Sequence, residues 1–230
     1  MKHFSNPFKS LTKFEWMLYT ASLATVFLSF IIPKEKDVLS LIASLIGVTA
    51  LIFVAKGKVL GQALTILFAA FYGIVSWTQR YYGEMITYLC MSAPMALSAI
   101  ISWLKNPYGN GEEVRVKRLS SKEWILLCAC TILVTTVFYF LLNALNTANL
   151  IVSVFSVATS FFAASLTYLR SPYYALGYAA NDLVLILLWL FSAIGNPSYL
   201  PMVLCFVMFL FNDLYGFFSW KRMERRQGAQ

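Results

Sequence analysis

The stretch Tyr173-Tyr-Ala-Leu-Gly-Tyr-Ala-Ala-Asn-Asp-Leu-Val-Leu-Ile-Leu-Leu-Trp189 reads as a membrane-spanning helix with a carboxylate, Asp182, near its middle. A charge at that depth is costly, and it faces a cavity or a partner rather than lipid. Tyr174, Tyr178 and Asp182 recur at i, i+4 and i+8, so they form one drifting stripe, with Asn181 and Trp189 close to it. Tyrosine rings beside an acid make a seat for a flat cation. The competing reading is an acid neutralised by protonation, or an Asn/Asp pair that glues helices together.

Composition widens this reading to the whole chain. With 60 % hydrophobic and 12 % charged residues, the 230-residue chain lacks the polar surface of a soluble domain, where about a quarter of residues are charged. A polytopic membrane protein is expected. The net charge of +8 sits between and beyond apolar runs rather than on a basic stripe, which argues against nucleic acid. Cys90, Cys128, Cys130 and Cys205 all fall in apolar runs, and Cys128 and Cys130 point to opposite helix faces, so buried thiols are expected rather than zinc or a disulfide. The one histidine, His3, is in a polar tail, which excludes a histidine-based catalytic site. No cofactor is expected.

Eight apolar runs follow in order: 14–32, 38–55, 59–77, 85–104, 124–145, 150–169, the opening helix, and 199–220. Pro94 is expected to kink the fourth. No Ala-x-Ala cleavage pattern follows the first run, so it reads as a retained helix. Eight spans put 15 of the 18 Lys and Arg on the face that carries both termini, and only Lys34, Lys36 and Arg80 on the other. The positive-inside bias then makes both termini and the loop 105–122 cytoplasmic.

An internal repeat emerges from two shifts. A shift of 112 places Trp77 on Trp189, Lys58 on Arg170 and Ser44 on Ser156; a shift of 117 places Ser102-Trp103 on Ser219-Trp220. Two three-helix units result, 37–105 and 148–222. They are preceded by a tail and extra helix (1–36), joined by a cytoplasmic loop and linker helix (106–147), and closed by a basic tail (223–230). The odd linker helix makes the repeats parallel, which suits a transporter whose substrate sits near midplane between halves.

The eighth run adds Asn212, Asp213 and Tyr215, with Asp213 at a depth similar to Asp182 on the neighbouring antiparallel helix. Gln62 on the third run and Tyr88 on the fourth complete the candidate substrate-binding set. Glu84 sits at the outer mouth, where a solvated interfacial acid is the expectation, and Gly216 is expected to allow close helix packing.

The segments Tyr81-Tyr-Gly-Glu-Met-Ile-Thr-Tyr, Arg170-Ser-Pro-Tyr-Tyr-Ala-Leu-Gly-Tyr-Ala-Ala-Asn-Asp and Phe211-Asn-Asp-Leu-Tyr-Gly-Phe-Phe-Ser-Trp resemble core helices of PnuC-type nicotinamide riboside transporters, over residues 37–222. The resemblance implies an all-α, SWEET-like bundle of three, one and three helices, with the helix at 14–32 as an addition. It also implies vitamin uptake across the cell membrane by facilitated diffusion, trapping by a cytoplasmic riboside kinase, and a possible homo-oligomer. Close relatives carry thiamine or riboflavin. Tyr174 and Tyr178 stand where the riboside carriers place tryptophans, and Ala96 stands where a polar residue, often Gln, is typical. Nicotinamide riboside is a flat pyridinium cation that Asp182 or Asp213 would balance, Tyr174 and Tyr178 would stack on, and Asn181 and Asn212 would hold by the ribose. Thiamine is also a flat cation, and the charge argument fits both. A rival of another class, an intramembrane aspartyl protease, would use the same acid pair, but its Gly-x-Gly-Asp type motif does not occur.

Overall fold

The computed structural model describes residues 6–31, 33–34, 36–109 and 113–228. Lys2 and His3 of the tail, and Gly111 of the long loop, lie outside the described residues. Among the described residues, eight helices are long and apolar enough to cross a membrane: α1 Lys13–Ile31, α2 Val38–Ala55, α3 Val59–Thr78, α4 Tyr82–Lys105, α5 Ser121–Ala144, α6 Leu150–Tyr168, α7 Tyr174–Gly195 and α8 Leu200–Gln227. They match the eight expected runs. α8 runs past Trp220, so the basic tail continues the helix as far as Gln227.

Local chemistry sets the boundaries. Asp37 caps α2 by accepting from the Leu39 and Ser40 amides at 3.0 and 3.1 Å. Ser120 and Glu123 form a reciprocal capping box at α5, which starts that helix three residues before Trp124. The interruption expected at Pro94 is present, but as a π-helical segment, Thr87–Ser92, just ahead of the proline rather than a simple kink. Proline lacks an amide to donate, and a wider turn absorbs the mismatch.

The two three-helix units pack face to face, α2 against α8 and α4 against α6, while α1 lies along α2 and α8. Their closure is reciprocal. The Trp103 indole donates to the Thr167 carbonyl at 3.1 Å and the Ser102 hydroxyl to Tyr168 at 3.0 Å, both at the end of α6. Trp220 donates to Val54 at 2.9 Å and Ser219 to Ala55 at 2.8 Å, both at the end of α2. The Ala55 and Tyr168 carbonyls are ones that a helix end leaves open, and each half satisfies the other's, while those of Val54 and Thr167 accept the indole besides a backbone amide. The two indoles meet with centroids 5.4 Å apart.

Gly57 (φ 64°) and Arg170 (φ 61°) are the left-handed residues that end α2 and α6. The Gly57 amide bonds Val54 and that of Lys58 bonds Phe53; the Arg170 amide bonds Thr167 and that of Ser171 bonds Leu166. The equivalent residues are therefore Gly57 and Arg170. The pairing of Lys58 with Arg170 in the sequence shift is one residue out at this turn. Both turns accept from the long loop: Val114 donates to the Gly57 carbonyl and Lys117 to that of Arg170, each at 3.0 Å. Arg118 and Lys221 pair with Glu224, tying the loop to the end of α8.

α1 is joined by more than apolar contact. Glu15, buried, pairs with Lys56 at 2.9 Å and accepts from the Tyr215 hydroxyl at 2.8 Å. α5, the linker helix, leaves most of its length uncovered by protein.

Candidate functional site

A cavity of about 50 Å³ opens between the two halves, on the side nearer the termini. Its walls come from α2 (Gly47, Ala50, Leu51, Val54), α3 (Gln62, Thr65, Phe68), α4 (Tyr88, Ser92), α7 (Tyr178, Asn181, Asp182) and α8 (Phe209, Asp213). The π segment supplies Tyr88 and Ser92, four residues apart. Gly47 is required by close approach: a Cβ there would stand 2.2 Å from the Phe209 ring, which seats against α2 because nothing intervenes.

The acidic side of the cavity belongs to the second half. Asp182 and Asp213, both buried, bring their carboxyl groups within hydrogen-bonding reach of each other. Asp182 Oδ2 has no partner. The neighbouring Asn181 is held by its carbonyl, which accepts from Thr159 at 2.8 Å, Ser160 at 3.0 Å and Ser156 at 3.3 Å. Three hydroxyls on α6 thus fix the side chain beside the acids. Phe68, Tyr88, Tyr178 and Phe209 add aromatic faces around them.

Aromatic layers bound the cavity in both directions. Toward the termini, Tyr174 packs on Trp220 at 4.8 Å, beside the Trp103–Trp220 contact. The Tyr174 hydroxyl lies 3.0 Å from the place a Cβ on Gly216 would occupy, so that glycine does serve close packing. Toward the short turns, Tyr72 meets Tyr88 at 4.3 Å and Phe206 at 5.5 Å, and accepts a 2.7 Å hydrogen bond from the Trp189 indole. Tyr81 closes on Trp189 at 5.5 Å and donates to the Leu188 carbonyl at 3.0 Å.

Six candidate residues come together at the cavity: Gln62, Tyr88, Tyr178, Asn181, Asp182 and Asp213. Tyr174 and Trp189 lie in the bounding layers instead, because the stripe drifts around α7 and carries its ends past the cavity. Asn212 and Tyr215 do not line the cavity either. Asn212 donates to Ser22 of α1 at 3.0 Å, and Tyr215 donates to Glu15, so both serve the α1 interface. One residue of helix is about 100° of rotation, which separates Asn212 from Asp213. Glu84 is also corrected: it is 0 % exposed, not solvated, since Gly83 lets the start of α4 settle against Leu142 and Ser153. Phe68, Ser92 and Phe209 escaped the sequence reading. Helical spacing held a signal for two of them, Phe209 one turn before Asp213 and Ser92 one turn after Tyr88.

The profile of the nicotinamide mononucleotide transporter family matches residues 37–222. Nicotinamide riboside transporter PnuC of Neisseria mucosa is 29 % identical to this chain, over 97 % of it and 86 % of the relative. The protein of the same name from Haemophilus influenzae is 26 % identical, over 82 % of this chain and 81 % of the relative. A crystal structure of the vitamin B3 transporter PnuC superposes with a TM-score of 0.83 at 26 % identity, covering 95 % of this chain and 94 % of that one.

Proposed function

Because the chain belongs to the nicotinamide mononucleotide transporter family, we propose that this multi-pass membrane transporter carries nicotinamide riboside, as its named relatives do. It is a transporter and not an enzyme, so the acid pair is not that of a protease. The observation that carries the reading is the Asp182–Asp213 pair, buried in a cavity whose walls include the rings of Phe68, Tyr88, Tyr178 and Phe209. Carboxyls held in such a place call for a cation, and the rings favour a flat one by cation–π attraction. Nicotinamide riboside supplies a pyridinium for the acids and rings and ribose hydroxyls for Asn181 and Gln62. A cavity of about 50 Å³ holds a few waters rather than a nucleoside, so the halves must part to admit it.

Transport is by facilitated diffusion through the cell membrane, with both termini in the cytoplasm, where a riboside kinase would trap the substrate as its phosphate. The charge bias supports this orientation, and among the described and undescribed residues alike no G-x-x-x-x-G-K loop for a nucleotide occurs in the sequence.

The test is uptake of labelled nicotinamide riboside, thiamine and riboflavin by cells expressing the chain. Riboside uptake is expected; thiamine or riboflavin uptake without it would transfer the site to that vitamin. Counterflow in liposomes should proceed with no ion gradient, and strict dependence on sodium or protons would refute passive transport. Cysteines placed at Gly111 or Gly228 should resist impermeant thiol reagents in intact cells.

A further inference from the structure

Among the described residues, Glu84 is the one buried carboxylate that neither lines the cavity nor pairs with a cation, since Glu15 has Lys56 and Glu224 has Arg118 and Lys221. It is 0 % exposed, and neither carboxylate oxygen has a hydrogen-bond partner. No Lys or Arg pairs with it among the described residues. The Tyr72 and Ser156 hydroxyls face it without closing a hydrogen bond. Ser76 on α3 and Thr87, three residues after Glu84 on α4, also bury hydroxyls with no partner. An acid whose task is to glue helices would be bonded to something, as Glu15 is. An unpartnered carboxylate at such a place is unfavourable unless a cation or a proton visits it.

Its position gives the visitor a direction. Glu84 lies one turn before Tyr88, on the short-turn side of the Tyr72–Tyr88 contact, whereas Asp182 and Asp213 lie on the termini side. Ser156 touches both regions, facing Glu84 and donating to Asn181 at 3.3 Å. We propose that Glu84 forms a second subsite for an aromatic organic cation, which the positively charged ring occupies before passing the Tyr72–Tyr88 layer to the Asp182–Asp213 pair. The subsite rests on the reading that the substrate is a flat cation and that the short turns face outward.

On this proposal Glu84 acts on entry and not on the affinity of the inner cavity. Glu84→Gln keeps the shape and removes the charge. The purified variant should bind nicotinamide riboside within about twofold of wild type, because the cavity walls are untouched. Its initial uptake at sub-saturating external riboside should fall about tenfold, the scale of one charged hydrogen-bonded contact. The same riboside with a reduced, uncharged ring should enter at the wild-type rate. Glu84→Asp, which retains the charge, should keep the preference for the charged ring, and it carries the test if the Gln variant does not fold.

Wild-type uptake of both ligands by Glu84→Gln would overturn the proposal and make Glu84 a neutral packing residue. Equal loss of both ligands, or loss of the preference in Glu84→Asp, would overturn it as well. A wild-type protein that moves thiamine but not the riboside removes the substrate reading alone, and a tenfold fall in thiamine uptake by Glu84→Gln would still uphold the subsite. A wild-type protein that moves neither cation overturns both.

Discussion

The first half, α2 to α4, and the second, α6 to α8, close on each other with the same parts and furnish the cavity with different ones. Trp103 and Trp220, each beside a serine, clamp the same two carbonyls of the opposite first helix. Gly57 and Arg170 end those helices with the same turn. Yet at the shift of 113 that the turns and the buried faces give, Asp182 falls on Ala69, and Trp77, exposed, is not the counterpart of the buried Trp189; at the shift of 117 Asp213 falls on Ala96. The second half brings both acids; the first brings Gln62, Thr65, Phe68, Tyr88 and Ser92. The clamp answers backbone groups, which are the same in any sequence, so it survives divergence. A site for a ligand with one charged ring needs its acids together, and one half can supply both.

The largest effects should come from the shared parts. Trp103→Ala and Trp220→Ala should each lower stability by about 3–5 kcal/mol, read by unfolding in detergent. A substitution that costs nothing on one side would break the equivalence of the halves. The unshared parts come next. Asp182→Asn should weaken binding of the pyridinium riboside by about 1–3 kcal/mol while sparing the analogue with a reduced ring, as measured by calorimetry; Ala69→Ser, at the matching place in the first half, should change neither. If Asp182→Asn binds both ligands as wild type does, Asp182 is structural and Asp213 carries the charge. Tyr178→Ala should cost about 1–2 kcal/mol of binding and Tyr178→Phe far less, because stacking survives loss of the hydroxyl. The smallest effect is expected outside both sets: Asn212→Ala should reduce stability by about 0.6 kcal/mol and leave riboside affinity unchanged. A loss of affinity there would return Asn212 to the site.

Much of this was legible before any coordinates. Span number and the repeat follow from apolar runs and spaced tryptophans, signals that lipid and backbone geometry impose on the chain itself. The acid pair was legible because a charge inside an apolar run stands out. What a helix periodicity cannot tell is which neighbour a face meets. Asn212, Asp213 and Tyr215 share about one turn of α8, but α1 claims the first and last and the cavity claims the middle one. Glu84 looked like a mouth residue because a short polar turn precedes it; only the approach of α4 to α5 and α6 buries it. The register error at Arg170 has a similar origin. Arginine is an unusual choice for a left-handed turn, and side-chain matching aligned it with the nearest lysine rather than with the glycine that has its conformation.

The crossed tryptophan clamp bears on how the two halves are joined. Every one of its four bonds runs between halves and none within a half, so the clamp is indifferent to the peptide that joins them. Two separate copies of one three-helix unit, inserted in the same direction, would form it just as well. A lone unit would leave the ends of its first helix open and its indole unmet. The clamp therefore asks nothing of α5 and nothing of the cavity, which leaves the second half free to hold both acids.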